Sequence, residues 1–274
     1  MLAHAVPARP SSKIPSRETM TQTVTDVIRY DINCDLGEGE PARKTKELMR
    51  HITSANLACG GHAGTLRSMT LAVREAIAAR VNIGAHPGLI DREKFGRGNV
   101  EISTEMFETL LVQQISALQT VALAEGGKLH HVKLHGALYH WTDANAAFRG
   151  TFISVMQRFW PRVIVFARAG GKTASTASEA GLTIWSEGFL DRNYLADGSL
   201  APRGDREAVL GLKEFEERVA SLARGISPVH ARAGMPVRTW CVHSDTPHAI
   251  KFACLAKQKL FAKDRPQQSR FSRG

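Results

Sequence analysis

The sequence predicts a parallel α/β barrel, and three observations support this fold class. Seven apolar segments of strand length alternate with longer segments of helical periodicity, which favours a parallel sheet with helices on its outside. The chain has 274 residues, a length that suits one large barrel domain or two small domains. Polar residues gather at the carboxyl ends of the predicted strands, where barrel proteins carry their active sites. An open, doubly wound sheet is the competing architecture.

Each predicted strand is a short apolar segment that a polar or glycine-rich stretch terminates. The first, "RYDINCDLGE", ends in acids, and the second, "ITSANLACGGHAG", ends in a glycine-rich turn. In chain order the strands are predicted at 29–38, 52–64, 81–88, 128–136, 161–170, 182–189 and 237–245.

Helical periodicity fills most of the intervals between these strands. In the segment 65–80, Leu66, Met69, Val73 and Ile77 recur at helical spacing and are predicted to share one buried face. Further helices are predicted at 103–127, at 143–159, in a short segment ending at 180, at 205–225 and at 246–264.

The net charge of +10 is concentrated at the two ends of the chain. The last 24 residues carry seven Lys or Arg against one Asp, and the first 30 carry four against two acids. This distribution is typical of solvated ends and argues against a nucleic-acid surface. We therefore predict a flexible extension at 1–28, a single barrel domain at 29–263 and a basic tail at 264–274.

The composition of individual segments also indicates where in the cell the protein is located. No stretch approaches 18 consecutive apolar residues, so no membrane span is predicted. The N-terminus lacks the apolar core of a secretory signal, although its basic, serine-containing start is also typical of a transit peptide. Four widely spaced cysteines without a CxxC pair predict free thiols in a reducing compartment. We expect a cytoplasmic protein that binds neither membrane nor nucleic acid.

The predicted strand ends carry acids, histidines and one lysine that a barrel brings to a single mouth. They are Asn33, Asp35 and Glu38 after the first strand, His62 after the second, His86 after the third, Lys133 and His135 after the fourth, Glu187 and Asp191 after the sixth, and His243 and Asp245 after the seventh. A lone histidine at a strand end more often hydrogen-bonds a loop, but four at equivalent positions favour a shared site. Lys133 lies between two apolar residues, so its side chain is predicted to face away from theirs, with an exposed edge position as the alternative.

Three kinds of chemistry are compatible with this set. Acids with several histidines suit a divalent metal that activates water, although no HExxH pattern is present. Carboxylates with lysine and histidine suit acid–base hydrolysis without a metal. The turn "CGGHAG" suits an anion held at a helix N-terminus through Gly60, Gly61 and Gly64, or is simply a tight connection between strand and helix.

Two other sequence features are not predicted to belong to the functional site. The stretch "RAGGKT" is not a phosphate-binding loop, because Phe166 stands where that motif requires glycine. Cys59 has no base adjacent to it in the sequence, and buried cysteines are common, so it is not predicted to be a nucleophile.

Six motifs occur in the order "DINCDLGE", "SANLACGGHAG", "IGAHPG" with "DREKFGR", "HVKLHGALY", "EGFLDRNYLADGSLAPR" and "CVHSDTPHA". In content and order they resemble the LamB/YcsF family, whose members are also called lactam utilisation proteins or the A subunit of ATP-dependent 5-oxoprolinase. The resemblance covers roughly residues 29–260.

This resemblance implies a fold, a reaction and partners. The implied fold is a seven-stranded (β/α) barrel of the glycoside hydrolase/deacetylase type. The implied reaction is hydrolysis of the lactam of 5-oxo-L-proline to L-glutamate, driven by ATP, with magnesium, and accompanied by release of ADP and phosphate. The implied partners are two further subunits, B and C, and a small-molecule lactam.

The resemblance also implies a set of polar site residues, because Asp35, His62, His86, Lys133, His135, Glu187, Asp191, His243 and Asp245 match the family's polar set by position in the motifs. Our hypothesis for the individual steps has Asp35 or Asp245 as the base, His62 and His135 as proton carriers or substrate ligands, and Lys133 as a contact for phosphate or carboxylate. The predicted substrate-binding residues are Asn33, Glu38, His86, Arg97, Tyr139, Glu187, Asp191, Arg192 and His243.

The chain departs from the family pattern at several positions. The family commonly has Asp at Thr65, Pro at Leu134, Asn at His140 and Gly at Ser244, and the segment 226–236 looks shortened. Thr65 removes a carboxylate from the predicted mouth but can still cap the helix that follows it.

Two alternative functions remain open. One is a metal-dependent deacetylase, or an amide or carbohydrate hydrolase, on the same barrel, which stoichiometric zinc held by His and Asp would favour. The other is a non-catalytic subunit, which the substitution at Thr65 motivates.

Overall fold

Seven parallel strands close into a barrel in chain order, and the last strand pairs back to the first. A computed structural model describes residues 30–98, 100–195, 198–202, 204–228 and 236–261. The strands are β1 (Asp31–Leu36), β2 (Ser54–Ala58), β3 (Asn82–His86), β4 (Leu129–Lys133), β5 (Ile164–Arg168), β6 (Ile184–Phe189) and β7 (Thr239–Cys241). The predicted barrel is confirmed, and the open sheet is excluded because β1 pairs with both β2 and β7.

Helices surround the barrel, each in contact with at least one other helix, and the last helix packs against the first. They are α1 (Ala42–Met49), α2 (Leu66–Ala79), α3 (Thr104–Ala124), α4 (Gly136–Ala144), α5 (Ala146–Phe159), α6 (Lys172–Glu179), α7 (Leu212–Ala223) and α8 (Ala249–Leu260). Within the part of the chain that the structure describes, no helix has the length and apolar character needed to cross a bilayer.

The alternation of side chains along each strand separates two kinds of core. In β1, Ile32, Cys34 and Leu36 belong to the hydrophobic core between sheet and helices. The intervening Asn33 and Asp35 point into the barrel, because successive strand residues face opposite sides. The same period of two places polar side chains such as His131 and Lys133 of β4 inside the barrel, together with the aromatic ring of Phe166 of β5.

The lower part of the interior is a hydrogen-bonded stack. Asn56 on β2 donates to the Oδ1 atom of Asn33 at 2.8 Å, and His131 Nε2 lies 2.7 Å from Asn56 Oδ1. The Phe166 ring stacks on His131 with centroids 4.0 Å apart. Because these buried polar groups have partners inside the barrel, the network fixes side-chain positions beneath the mouth.

Two helices were not predicted from the sequence, and the buried face of α2 differs from the predicted one. The helices α1 and α4 are additional to the predicted set. In α2 the buried residues are Met69, Ala72, Val73 and Ala76, whereas the predicted members Leu66 and Ile77 are 68% and 39% exposed. The face is centred on alanines because small side chains let the helix lie close to the sheet, so the prediction was wrong at both ends.

Several predicted boundaries also change. The helix predicted at 205–225 begins at Leu212, after a stretch of turns, and β7 contains three residues instead of nine. The predicted extension at 1–28 and tail at 264–274 lie outside the described residues, as does most of the shortened segment 226–236.

Candidate active site

A buried lysine occupies the centre of the barrel mouth. Lys133, at the end of β4, places its Nζ atom 2.9 Å from Asp35 Oδ1 and 2.8 Å from Glu187 Oε1. Burial disfavours the ammonium form, but the two carboxylates outweigh it and raise the pKa of Lys133 well above its usual value. The predicted inward orientation is confirmed: Lys133 is 3% exposed, so the edge position is excluded. We refer to Asp35, Lys133 and Glu187 as the lysine cluster.

Asp35 connects the lysine to the histidines. Its Oδ1 atom accepts a hydrogen bond from Asn56 at 2.7 Å, and its Oδ2 atom lies 3.5 Å from His86 Nε2. Burial raises the pKa of this carboxyl, but the nearby His86 and Lys133 dominate and hold it well below its usual range. Asp35 is therefore ionised at neutral pH and available as an acceptor.

Four side chains from four successive strand ends form a second group, which we call the histidine cluster: Glu38, His62, His86 and His135. Glu38 Oε1 lies 2.9 Å from His62 Nε2, 3.2 Å from His135 Nδ1 and 3.6 Å from His86 Nε2. The rings of His62 and His135 are stacked, with centroids 3.5 Å apart. The sequence placed these residues at one mouth, and the structure brings them into contact.

Their surroundings separate the pKa values of the three histidines. Burial lowers the pKa of His62 to about 4 and also lowers that of His135. For His86 the effect of burial is exceeded by Asp35 and Glu38, so its pKa is raised. The pKa of Glu38 is lowered, because hydrogen bonds from His135 and His62 outweigh its burial. The positive charge of the cluster is thus concentrated at His86.

Backbone groups hold the rings in place. His86 Nδ1 lies 2.8 Å from the carbonyl oxygen of Lys133, and His135 Nε2 lies 2.9 Å from that of Phe95. Phe95 has a left-handed backbone (φ 55°), which is costly outside glycine and is common at functional sites. Gly88 lies so close to His62 that a Cβ there would fall 2.3 Å from Nδ1, so the ring position requires this glycine.

Two other predicted acids, Glu187 and Asp191, accept hydrogen bonds from residues around the barrel mouth. Tyr139 donates to Glu187 Oε2 at 2.7 Å. Asp191 accepts from the backbone N–H of His243 at 2.8 Å and lies 3.0 Å from His243 Nδ1. These contacts fix Glu187 and His243 at the mouth.

A cavity of about 270 Å³ opens above these groups. Its lining includes Asp35, His86, Lys133 and His135 on the inner side and, elsewhere, two arginines and two histidines: Arg97, Arg192, His140 and His243. Asp245 is outside this lining; its carboxylate lies 3.5 Å from Arg97 and its side chain is 40% exposed. Of the two predicted bases, only Asp35 borders the cavity.

The glycine-rich turn packs on protein groups. Arg92 donates to the carbonyl oxygens of Gly60 at 3.1 Å and Gly64 at 2.6 Å. A Cβ on Gly61 would fall 2.3 Å from the carbonyl oxygen of Gly88. Gly60 and Gly64 have positive φ angles of 99° and 88°, which side chains rarely adopt. The turn itself therefore accounts for the three glycines, which supports the interpretation of "CGGHAG" as a tight connection between strand and helix.

Thr65 begins α2 as its N-cap, with its side chain accepting from Ser68 N–H. The residue is exposed and is absent from the cavity lining. The predicted capping role is confirmed, and the position does not border the cavity.

A second possible anion position is occupied by the protein itself. The N-terminus of α6 follows "RAGGKT", and there the carboxylate of Asp143 accepts from the N–H of Thr173 at 2.9 Å and from Arg168 at 2.8 Å. A phosphate at this helix end would compete with Asp143, which agrees with the rejection of a phosphate-binding loop.

Two residues of the site were missed from the sequence: Asn56, which contacts Asp35, and His131 beneath it. The signal was present, because Asn56 lies between apolar residues in β2 and His131 lies two positions before Lys133 in β4, on the same side of the strand. If Asn56 and His131 had been interpreted as inward positions of a barrel, they would have been included among the predicted site residues.

The fold and these clusters define a barrel protein with buried, charged and titratable side chains gathered at the carboxyl ends of its strands. The family model of the LamB/YcsF family matches residues 30–271, and the chain belongs to this family. Relatives named as the A subunit of 5-oxoprolinase are 36% identical in Brevibacillus brevis, over 89% of this chain and 98% of the relative, and 39% identical in Methylococcus capsulatus, over 86% and 94%. The solved structure of the lactam utilization protein from Thermus thermophilus is 31% identical, with a TM-score of 0.76 over 86% of this chain and 97% of that one. The resemblance inferred from the motifs is confirmed.

Proposed function

We propose that this chain is the A subunit of an ATP-dependent 5-oxoprolinase, which converts 5-oxo-L-proline to L-glutamate with release of ADP and phosphate. The relatives that carry this name match almost their whole length. The observation that carries the proposal is the lysine cluster beside a cavity of about 270 Å³, because it holds an ionised carboxylate, Asp35, next to a space for a small ring.

The reaction needs activation because an unstrained amide ring resists attack by water. Transfer of the terminal phosphoryl group of ATP to the lactam carbonyl oxygen makes that oxygen a leaving group. Water then adds to the carbon, the C–N bond breaks and the ring nitrogen takes up a proton; a second water releases phosphate and leaves the carboxylate of glutamate.

Residues that border or surround the cavity can be assigned to the steps of this reaction. Asp35 is the proposed base for water, since its carboxylate borders the cavity. Positive charge near His86 stabilises the oxygen on which negative charge develops. Lys133 holds Asp35 and Glu187 in place and keeps the inner side of the cavity charged.

Anionic groups of the substrates are proposed to meet the cationic lining. Arg97, His140 and Arg192 border the cavity and suit the carboxylate of 5-oxoproline and the phosphates of ATP with its magnesium ion. We further propose that the chain works with subunits B and C in the cytoplasm, and that neither nucleic acid nor membrane is a partner.

The proposal is tested by measuring glutamate released from 5-oxo-L-proline and ATP, with and without the two partner subunits. We expect release in the complete mixture. The absence of glutamate in both mixtures, with a folded chain and active partner preparations, would overturn the proposal.

A metal-dependent deacetylase or hydrolase of amides or carbohydrates is the second candidate, and the histidine cluster is the observation that favours it. Such an enzyme would cleave acylated amines without ATP and without partner subunits. The non-catalytic alternative has weaker support, since Thr65, which motivated it, caps a helix outside the cavity lining.

A further inference from the structure

We propose that Glu38, His62, His86 and His135 form a binding site for one divalent transition-metal ion of the zinc type. The four side chains each offer one ligand atom, and these atoms lie within 4.8 Å of one another. The proposal concerns binding by this chain alone and does not depend on the lactam reaction.

The distances between the ligand atoms match those around a tetrahedral ion. Ligands about 2.0–2.1 Å from zinc are about 3.3 Å from one another. Glu38 Oε1 lies 2.9, 3.2 and 3.6 Å from the nitrogens of His62, His135 and His86, and the last two nitrogens lie 3.0 Å apart. These four distances bracket the tetrahedral edge, and an ion between the four atoms requires the parallel rings of His62 and His135 to turn relative to one another, because a metal lies in the plane of an imidazole that binds it.

The outer ring nitrogens point to the same conclusion. A carbonyl oxygen only accepts, so His86 Nδ1 and His135 Nε2 carry the N–H groups that face Lys133 and Phe95. The inner nitrogens, His86 Nε2 and His135 Nδ1, face one another at 3.0 Å. Backbone carbonyls commonly orient metal-binding histidines in this way, with the inner nitrogen directed at the ion.

A neighbouring group of potential ligands makes a useful contrast. Asp35, Cys241 and His243 also come within ligand distance of one another. There the ammonium of Lys133 already supplies the positive charge, 2.9 Å from Asp35 Oδ1 and 3.2 Å from Cys241 Sγ. In the histidine cluster, by contrast, Glu38 Oε1 faces three imidazole nitrogens.

The type of ion and its access follow from the ligands and their position. Three imidazoles and one carboxylate suit zinc, cobalt or nickel better than magnesium or calcium, which prefer oxygen ligands. His86 and His135 also line the cavity, so an ion can enter from there and remain next to bound substrate.

This site changes how the two enzyme hypotheses are distinguished. Zinc in the chain would not by itself favour the metal-dependent hydrolase, because a metal beside the cavity can also assist the opening of a lactam. The dependence of product release on ATP separates the two reactions.

The test is cobalt and zinc binding by the full-length chain after removal of metal with a chelator. We expect one Co²⁺ per chain, with the visible absorption bands of a tetrahedral site, and its displacement by Zn²⁺. We expect Glu38→Gln and His62→Gln each to weaken binding at least about 10-fold. His248→Gln, at an exposed position just before α8, is the matched control and should bind as the unsubstituted chain does.

Folding of each variant is checked by circular dichroism and by its melting temperature. Added Zn²⁺ should raise the melting temperature of the unsubstituted chain and of His248→Gln by a larger amount than that of Glu38→Gln. Two results would overturn the proposal: a folded, unsubstituted chain that takes up no stoichiometric Co²⁺ or Zn²⁺, or folded Glu38→Gln and His62→Gln chains with unchanged affinity. Loss of glutamate release with intact metal binding would count against the proposed function and leave the metal site standing.

Discussion

The Lys133 ammonium lies 2.9 Å from the Asp35 carboxylate, and both side chains are buried inside the barrel. A buried charge is tolerated only when it is paired, so each residue depends on the other. This relationship links the stability of the barrel to its chemistry and gives the first prediction.

Replacing Lys133 with Met should destabilise the protein by about 3–5 kcal/mol, because Asp35 and Glu187 would lose their shared cation. The measurement is urea unfolding followed by circular dichroism. Lys46→Met, at an exposed position in α1, is the control and should stay within about 0.5 kcal/mol. A change below about 1 kcal/mol for Lys133→Met would show that the cluster is not held as described.

Replacing Asp35 with Asn should lower glutamate release by the complete enzyme by at least about 100-fold, because the amide cannot take a proton from water. The amide oxygen can still accept from Lys133, so the fold should be retained. Asp245→Asn removes an exposed pair with Arg97 and should change the rate by less than about fivefold. Equal effects of the two substitutions would contradict the choice of Asp35 as base.

Two substitutions at Thr65 test whether this residue affects stability alone or also turnover. Thr65→Ala removes the N-cap hydrogen bond of α2 and should cost about 1 kcal/mol of unfolding free energy, whereas Thr65→Asp keeps a capping oxygen and should be nearly neutral. Glutamate release should be unchanged in both. A marked rise in turnover with Thr65→Asp would indicate instead that the missing carboxylate limits this chain.

Thiol reactivity reports on the core of the barrel. Burial raises the pKa of Cys59 to about 12 and also raises the pKa values of Cys34 and Cys241, so their reactive thiolate forms are suppressed. Of the four cysteines, Cys254 on α8 is the partly exposed one. A disulfide reagent at about pH 8 should therefore label about one thiol per native chain, and none rapidly in Cys254→Ser. Rapid labelling of a second thiol in the folded protein would contradict this packing.

The sequence was sufficient to predict the barrel because its strands carry apolar residues and end in polar ones. It was insufficient for α1 and α4, which lack the usual start signals. The N-cap of α1 is Pro41, that of α4 is His135, and neither side chain caps its helix. Each helix is also short and buries only a few side chains, so it offers few apolar positions from which a helix could be predicted.

The site was predicted as a set of residues but not as two clusters. Strand ends indicate which side chains meet at the mouth, whereas the partners of each depend on sheet register. The contact between Asn56 and His131 joins strands β2 and β4 across β3, 75 positions apart in the sequence. The exclusion of Asp245 from the cavity likewise depends on the short β7 and the path of the loop after it.

Coupling between lactam opening and ATP hydrolysis is measured as the number of glutamate molecules formed per ADP released, by the chain with its two partner subunits and 5-oxo-L-proline. We expect a ratio near one, no glutamate without ATP, and loss of glutamate with Asp35→Asn. Glutamate formed at the same rate without ATP would contradict the proposed function and would favour direct, metal-dependent hydrolysis on this barrel.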